Sequence, residues 1–213
     1  MVPCRCRAAH TPRRVVLTGG PGGGKTAVLE LVQRTLCEHV KVLPEAAGIV
    51  FGGGFPRGGD PVVLRAAQRA IFHVQRELEA SAEIGNPAII LCDRGTVDGV
   101  AYWPGPGDMW SELGTTLAAE QHRYAAVIHL RTPLVGYNHQ NPLRIESSTE
   151  AGIIDERIAA AWTGHASRHV VGSTSDFLTK AQRAIELICA ELPECCSRQT
   201  RAASDTAAAP VAR

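Results

Sequence analysis

Short apolar runs alternate with longer amphipathic stretches through most of the chain. The first run, Arg14–Thr18, precedes a helical pattern that reaches about Cys37, and the runs Val40–Leu43 and Pro87–Cys92 lie on either side of a second, longer helical pattern. Continuous apolar runs of this length are typical of strands that are covered on both faces, as in a parallel sheet. The alternation of strand and helix therefore predicts a doubly wound α/β fold.

The boundaries of the longer helix are well marked, because Asp60-Pro61 is an N-cap followed by proline and the pattern ends near Glu83. The segments 48–59 and 95–109 are rich in glycine and carry no periodicity, so we expect loops there. Beyond them the pattern predicts a helix over about Trp110–Glu120, a strand over Ala125–Leu130, a helix over Ser148–Trp162, a short strand over His169–Gly172 and a helix over Asp176–Glu191.

A glycine-rich turn joins the first strand to the first helix. From Gly19 to Thr26 it matches G-x-x-x-x-G-K-[ST], the loop that surrounds phosphates with backbone N–H groups. Lys25 should reach the β- and γ-phosphate oxygens, and the Thr26 hydroxyl should bind Mg²⁺. The residues predicted to hold the nucleotide are Gly19, Gly20, Pro21, Gly22, Gly23, Gly24, Lys25, Thr26, Ala27 and Arg131.

Two acidic residues follow the ends of other predicted strands, where ligands bind in open α/β sheets. Asp93 ends an apolar strand and is predicted to help Thr26 hold Mg²⁺, although it could instead cap a helix. Glu45 follows the second strand and is predicted to be a general base for an acceptor hydroxyl; the alternative is a first-turn helix glutamate.

Arginines complete the predicted catalytic set. Arg94 could hold the acceptor or a phosphate in bidentate fashion, or it could be a structural partner of Glu45. Arg131, Arg144 and Arg157 precede or lie in the Ser148 helix, and a lid that carries them could close over the γ-phosphate. Arg144 is the strongest candidate because it stands in a non-helical approach to that helix. The predicted catalytic residues are Lys25, Glu45, Asp93, Arg94 and Arg144.

Other polar and aromatic residues favour structural roles. Gln68, His73 and Gln75 lie on the long helix, where amides could contact a base, but a polar face without a ligand is the better interpretation. The three tryptophans are expected to pack in the core or in a lid.

Composition bounds the partners. The formal net charge of the 213 residues is +1, so nothing suggests nucleic-acid binding, and no apolar run approaches the about 18 residues of a membrane span. Seven cysteines without paired spacing indicate reduced thiols and a cytoplasmic protein. The oligomeric state stays open.

The two ends of the chain lack an apolar pattern. We therefore expect a flexible arm over 1–12, a single domain over 13–196 and a disordered tail over 197–213. Cys4, Cys6 and His10, or Cys195 and Cys196, could be metal ligands, but neither end has the C-x₂-C spacing of a structural zinc site. Metal binding is therefore not predicted there.

Several of these motifs together resemble the AAA-domain P-loop family that is related to the nicotinamide-riboside kinase domain of NadR. The resemblance covers roughly residues 14–192 and rests on Val15–Thr26, Leu43–Ala47, Leu91–Gly95, Asp98–Tyr102 and the segment around Arg144. It implies a P-loop NTPase three-layer α/β/α sandwich with a five-stranded parallel sheet, nucleoside-kinase-like, with a lid segment. It also implies ATP or GTP binding and, in some members, phosphorylation of a small hydroxyl-bearing acceptor; other members have regulatory or lipid-linked roles.

Two functions are therefore expected from the sequence. The first is a kinase that transfers the γ-phosphoryl group of Mg·ATP to an unidentified small, nucleoside-like acceptor. The second is a nucleotide-switched binding module with slow hydrolysis; hydrolysis of a phosphorylated compound is a further possibility. ATP is favoured over GTP because the N-K-x-D motif of GTPases does not occur in the chain.

Overall fold

The computed structural model describes residues 4, 6–133, 147–173 and 176–196. Its strands are Arg13–Thr18 (β1), Val40–Leu43 (β2), Ile89–Asp93 (β3), Ala126–Leu130 (β4) and Arg168–Val171 (β5). Its α-helices are Lys25–Thr35 (α1), Ala46–Gly52 (α2), Pro61–Ala82 (α3), Met109–Leu113 (α4), Leu117–His122 (α5), Ser148–Ala161 (α6) and Phe177–Ala190 (α7), and Thr96–Tyr102 is a 3₁₀ helix.

The five strands form one parallel sheet in the order β2-β3-β1-β4-β5. β1 is central, and its Val15 lies opposite Leu91 of β3 and Ala126 of β4. The connections therefore change direction at β1, since β2 and β3 lie on one side of it and β4 and β5 lie on the other. The reversal leaves a crevice at the carboxyl end of β1, where the glycine-rich turn begins.

The side chains of β1 alternate between two cores, as expected for a central parallel strand. Val15 and Leu17 pack with apolar residues of α1 and α7 on one face of the sheet. Val16 packs on the other face, with residues that include Phe72 of α3 and Ile158 of α6. These two cores make the three-layer α/β/α sandwich that the resemblance implied.

Two predicted loops contain helices. α2 occupies the start of the segment 48–59 in spite of its glycines, because packing against α3 outweighs the low helix propensity of Gly48 and Gly52. The 3₁₀ helix occupies part of 95–109; the Asp98 carboxylate accepts the Gly95 N–H at 3.2 Å and fixes its first turn. The helix predicted over Trp110–Glu120 is two short helices, since Gly114 has a φ of 65° and ends α4.

The described residues of the segment before β1 make hydrogen bonds to the rest of the domain. The Cys4 N–H donates to Glu38 at 3.0 Å, and the His10 N–H donates to Asn86 Oδ1 at 2.6 Å. Asn86 in turn donates from its amide to the carbonyl of Ala8 at 2.8 Å. These bonds hold the segment before β1 against the α1–β2 turn and the α3–β3 loop. The predicted tail, 197–213, lies outside the described residues.

Within the described residues, none of the helices combines the length and apolar character that crossing a bilayer requires.

Candidate nucleotide-binding site

The loop between β1 and α1 has a backbone with positive φ at Gly19, Gly22 and Gly24, a conformation that favours glycine. Gly19 has a φ of 131°, and a Cβ added there would lie 2.1 Å from the carbonyl oxygen of Leu130. Gly24 has a φ of 92° and is the N-cap of α1, so no side chain at the N-cap accepts a hydrogen bond from the first N–H groups of that helix. The first N–H groups of α1 are therefore available to an anion at the helix N-terminus.

Lys25 is held inside this loop. Its Nζ donates to the carbonyl oxygens of Gly19 at 2.9 Å and Gly20 at 3.0 Å. Burial, and after it the Arg94 guanidinium, lower the pKa of Lys25 to about 8, although the carboxylates of Asp93 and Glu45 oppose the shift. The ammonium thus lies among backbone carbonyls in a place where a negatively charged group would stabilise it.

Asp155 on α6 holds the loop from the other side. Its carboxylate accepts the Gly20 N–H at 2.7 Å, lies 2.9 Å from His129 Nε2 and pairs with Arg131 Nε at 3.1 Å. Burial opposes ionisation of Asp155, but hydrogen bonds from His129 and Gly20 hold its pKa below the ordinary value. Arg131 also pairs with Glu156. Arg131, which was predicted to contact the nucleotide, is therefore paired with two carboxylates of α6.

Asp93 lies at the end of β3, beside the loop. Its Oδ1 is buried, and no group in the described part of the chain makes a hydrogen bond to it. Burial raises the pKa of Asp93 to about 6, an effect that Lys25 counteracts. A buried carboxylate oxygen without a partner is costly, so this atom is a strong candidate for contact with a ligand.

Arg94 joins Glu45 to the loop. Its Nε donates to Glu45 Oε1 at 2.7 Å and its Nη1 to the Gly19 carbonyl at 3.0 Å. Arg94 has a φ of 71°, a backbone conformation that is uncommon for a residue with a side chain and is often found at functional sites. Burial opposes ionisation of Glu45, but the Arg94 and Lys25 charges hold its pKa below the ordinary value.

The structure thus brings together Lys25, Glu45, Asp93 and Arg94 from three strand ends, while Thr26 is exposed in the first turn of α1. Arg144, the predicted lid arginine, lies outside the described residues. Arg157 lies on α6 and is exposed.

Two interpretations of polar and aromatic residues can be compared directly with the structure. Gln68 and Gln75 are both buried, and Gln75 donates to the buried Glu79 at 2.8 Å. Trp110 and Trp162 pack in the core, as expected.

Asp98 is a buried residue to which the sequence assigned no role. Its carboxylate accepts the Thr18 hydroxyl at 2.7 Å, the Gly95 N–H at 3.2 Å and the Trp162 indole N–H at 2.6 Å. Thr18 is the last residue of β1, so Asp98 connects the strand before the phosphate loop to the α6 side of the core. Its position three residues after Gly95, typical of a helix-capping carboxylate, is the signal that could have marked it.

Replacing Asp98 by alanine is expected to lower stability by about 3 kcal/mol, because three donors lose a buried acceptor. For a domain of this size that is a fall of roughly 6–12 °C in the thermal midpoint. Asp108→Ala is the matched control, since Asp108 caps the exposed start of α4 and should cost only about 1 kcal/mol. If calorimetry gave equal, small shifts in the thermal midpoint for the two variants, Asp98 would not be the residue that connects β1 to the α6 side of the core.

A family model described as AAA domain matches residues 14–177. Comparison with curated protein sequences gives no match.

Three solved structures share the fold. NadR protein in complex with NR has a TM-score of 0.65 at 14% identity, and the match covers 85% of this chain and 52% of NadR. Thymidylate kinase from Candida albicans has a TM-score of 0.60 at 11% identity, covering 85% and 92%. Deoxyadenosine kinase from M. mycoides with bound dATP has a TM-score of 0.56 at 11% identity, covering 83% and 98%.

The family match spans most of the domain and includes the phosphate loop and both carboxylates of the crevice. The chain therefore belongs to the AAA domain family and has the fold of the P-loop nucleoside and nucleotide kinases.

Proposed function

We propose that this protein binds ATP on the glycine-rich loop and transfers the γ-phosphoryl group to a hydroxyl of a small, nucleoside-like acceptor. The observation that carries the proposal is the hydrogen-bonded chain from Glu45 through Arg94 to the Gly19 carbonyl. It ties a carboxylate at the end of β2 to the phosphate loop, at the distance that one arginine side chain spans.

The phosphates would take the place of the contacts that now hold Lys25. Its ammonium already lies within hydrogen-bond reach of the loop carbonyls, so it needs only to turn outward to reach phosphate oxygens. An anion beside it would also keep this amine protonated at neutral pH, against the effect of burial. The N–H groups at the start of α1 complete the phosphate contacts.

Two oxygen donors of the site fit a Mg²⁺ ion. Asp93 offers a buried Oδ1 that has no hydrogen bond within the described residues, and Thr26 offers an exposed hydroxyl at the start of α1. Carboxylate and hydroxyl oxygens are the hard ligands that this ion prefers. When bound, Mg²⁺ would neutralise charge on the phosphate oxygens.

Glu45 is the group that would hold the acceptor. Its side chain is 40% exposed and its pKa is held low, so it is an ionised acceptor of hydrogen bonds that a substrate can reach. Accepting the substrate's O–H would orient the oxygen, and Glu45 could take the proton as the new P–O bond forms. Arg94 would keep the carboxylate in place through its bond to Glu45 and its bond to the phosphate loop.

The class of acceptor is supported by the solved structures with this fold. They are described as thymidylate kinase, deoxyadenosine kinase and NadR in complex with NR. At 11–14% identity these likenesses establish the fold alone, so a nucleoside or a related riboside is our proposal for the acceptor of this chain.

Acceptor-stimulated ADP release tests the proposal. Purified protein, Mg·ATP and a panel of nucleosides, nucleoside monophosphates, riboside cofactor precursors and simple alcohols would be mixed, and ADP would be followed by a coupled assay. We expect one chemical class to raise ADP release at least about tenfold above the basal rate, with a phosphorylated product visible by mass spectrometry. ADP release that no acceptor stimulates would contradict transfer and favour the switch function.

A further inference from the structure

Thiol and imidazole groups from three distant segments meet at the end of the domain opposite the strand termini that form the crevice. One segment precedes β1, one is the turn between α1 and β2, and one follows α7. We refer to these side chains as the thiol–imidazole cluster: Cys4, Cys6, His10, Cys37, His39, Cys195 and Cys196. It contains five of the seven cysteines of the chain.

The distances within the cluster are those of a metal-ligand shell. His10 Nε2 lies 3.6 Å from the sulfur of Cys6, 3.5 Å from that of Cys195 and 3.7 Å from that of Cys196. Bond lengths of about 2.3 Å for Zn–S and about 2.1 Å for Zn–N give a tetrahedral S···N separation of about 3.6 Å. A neutral imidazole nitrogen has one lone pair, so it cannot accept hydrogen bonds from three thiols at once.

Two sets of four ligand atoms lie close enough together to be candidates for one metal ion. In one set the atoms belong to Cys4, Cys37, His39 and Cys196, and all lie within 4.8 Å of one another. In the other set Cys6 and His10 replace Cys4 and Cys37. His39 and Cys196 are common to both sets. Cys196 is fully buried, and its sulfur is 3.5 Å from His39 Nδ1.

Groups outside the ligand sets orient the ligands. His10 Nδ1 lies 3.1 Å from the carbonyl oxygen of Asn86, so it can donate there and leave Nε2 with its lone pair towards the sulfurs. Such a bond to the second ring nitrogen is a regular feature of metal-binding histidines. The Ala8 N–H points at the Cys6 sulfur at 3.4 Å, which favours a thiolate. Asn86 itself has a φ of 60°, an uncommon conformation.

We propose that the thiol–imidazole cluster binds Zn²⁺ as a structural centre that fastens both ends of the domain to the end of α1. Thiolate and imidazole ligands in tetrahedral array select zinc over the hard cations. Cys37 lies just beyond α1, whose first turn belongs to the phosphate loop. The centre would thus fix the far end of the helix that carries the nucleotide site, and it is independent of the proposed kinase function.

Metal content of the full-length chain, purified without a histidine tag or chelator, tests this directly. We expect about one zinc per chain, because the two ligand sets share His39 and Cys196 and cannot both be filled independently. Cys196→Ala should lose the zinc. Cys189→Ala is the control: Cys189 is a half-buried cysteine of the C-terminal region that lies outside the cluster, so this variant should retain the zinc. Less than about 0.1 zinc per chain in the wild type would overturn the proposal.

Two further measurements keep the test decisive if Cys196→Ala fails to fold. A strong chelator should lower the thermal midpoint of the wild-type chain by roughly 5 °C or more, and added Zn²⁺ should restore it. Co²⁺ substituted for zinc should give the visible absorption of a tetrahedral thiolate site. His39→Ala should alter that spectrum, because His39 belongs to both ligand sets. An unchanged midpoint with chelator, or a Co²⁺ spectrum without sulfur ligation, would contradict the centre.

Discussion

Replacing Lys25 by alanine is expected to abolish triphosphate turnover, with a loss of at least about 10²–10³-fold, while the domain stays folded. Lys25 is the cation that the loop itself holds, and its ammonium is bonded to the two carbonyls at the start of that loop. A truncated side chain leaves the developing charge on the transferred phosphoryl group without this partner. Nucleotide affinity should be measured by calorimetry and turnover by ADP release.

Folding should survive this change. Burial already disfavours the charged form of Lys25, as its lowered pKa indicates, so removal of the ammonium relieves a cost as well as breaking two hydrogen bonds. Lys41→Ala is a matched control, since Lys41 is exposed on β2 and makes no predicted contact with phosphate. Affinity and turnover that both remain at the wild-type level in Lys25→Ala would contradict the phosphate-binding role of the loop.

Most of the fold could be predicted because the sequence pattern and the packing agree. The strands of the parallel sheet are buried on both faces, so their apolar runs are continuous and easily recognised. Asp60-Pro61 marked the start of α3 correctly, and the Asp60 carboxylate accepts the Val62 N–H at 2.7 Å. The errors fell where packing outweighs local preference, in the glycine-containing α2 and in the 3₁₀ helix.

The sequence predicted which residues lie together in the site only where the order of the strands determines it. Residues that follow parallel strands meet at one edge of the sheet, which explains why Glu45, Asp93 and Arg94 lie together. Topology does not determine which side chains pair. That Arg94 bonds both Glu45 and the Gly19 carbonyl depends on the left-handed backbone of Arg94, for which a non-glycine residue gives no sequence signal.

The thiol–imidazole cluster shows a second limit of sequence reasoning. Zinc motifs are recognised by short spacings within one segment, and here each segment supplies only part of a ligand set. Cys4 and Cys196 come from opposite ends of the chain, so their proximity depends on the whole fold. The partners of the buried Asp98 carboxylate were missed for the same reason, since Thr18 and Trp162 are 80 and 64 residues away.

Glu45→Gln and Asp93→Asn are expected to damage different steps, and the comparison separates the kinase from the switch. Glu45→Gln keeps the size of the side chain but cannot accept a proton. With an acceptor in hand, turnover should fall by ~10²–10⁴-fold while nucleotide affinity hardly changes. Asp93→Asn should instead raise the Mg²⁺ concentration needed for half-maximal activity by roughly tenfold or more, because it removes the charge of the proposed metal ligand.

Stability provides a readout of Asp93 that does not depend on activity. Its Oδ1 is buried, and no hydrogen bond to it is made within the described residues, so without metal and nucleotide the ionised carboxylate costs free energy in the folded state. Asp93→Asn should therefore melt no lower than the wild type in the absence of ligands, and it should lose the stabilisation that Mg·ATP confers on the wild type. A variant that melts well below the wild type without ligands would assign Asp93 a structural role.

For Glu45 we expect the opposite effect on thermal stability, because its carboxylate is paired with Arg94. The Gln variant weakens an ion pair with Arg94 at 2.7 Å, so it should be modestly destabilised even though nucleotide binding persists. Arg94→Lys is the variant to compare with it. Lysine keeps a positive charge, but its single ammonium cannot replace the two guanidinium nitrogens that bond Glu45 and the Gly19 carbonyl. If Glu45 acts as the base, both variants should lose turnover, because Arg94 holds the carboxylate where the acceptor needs it. Transfer at the wild-type rate by Glu45→Gln would remove Glu45 as the base, and Asp93, whose raised pKa already favours proton acceptance, would become the candidate.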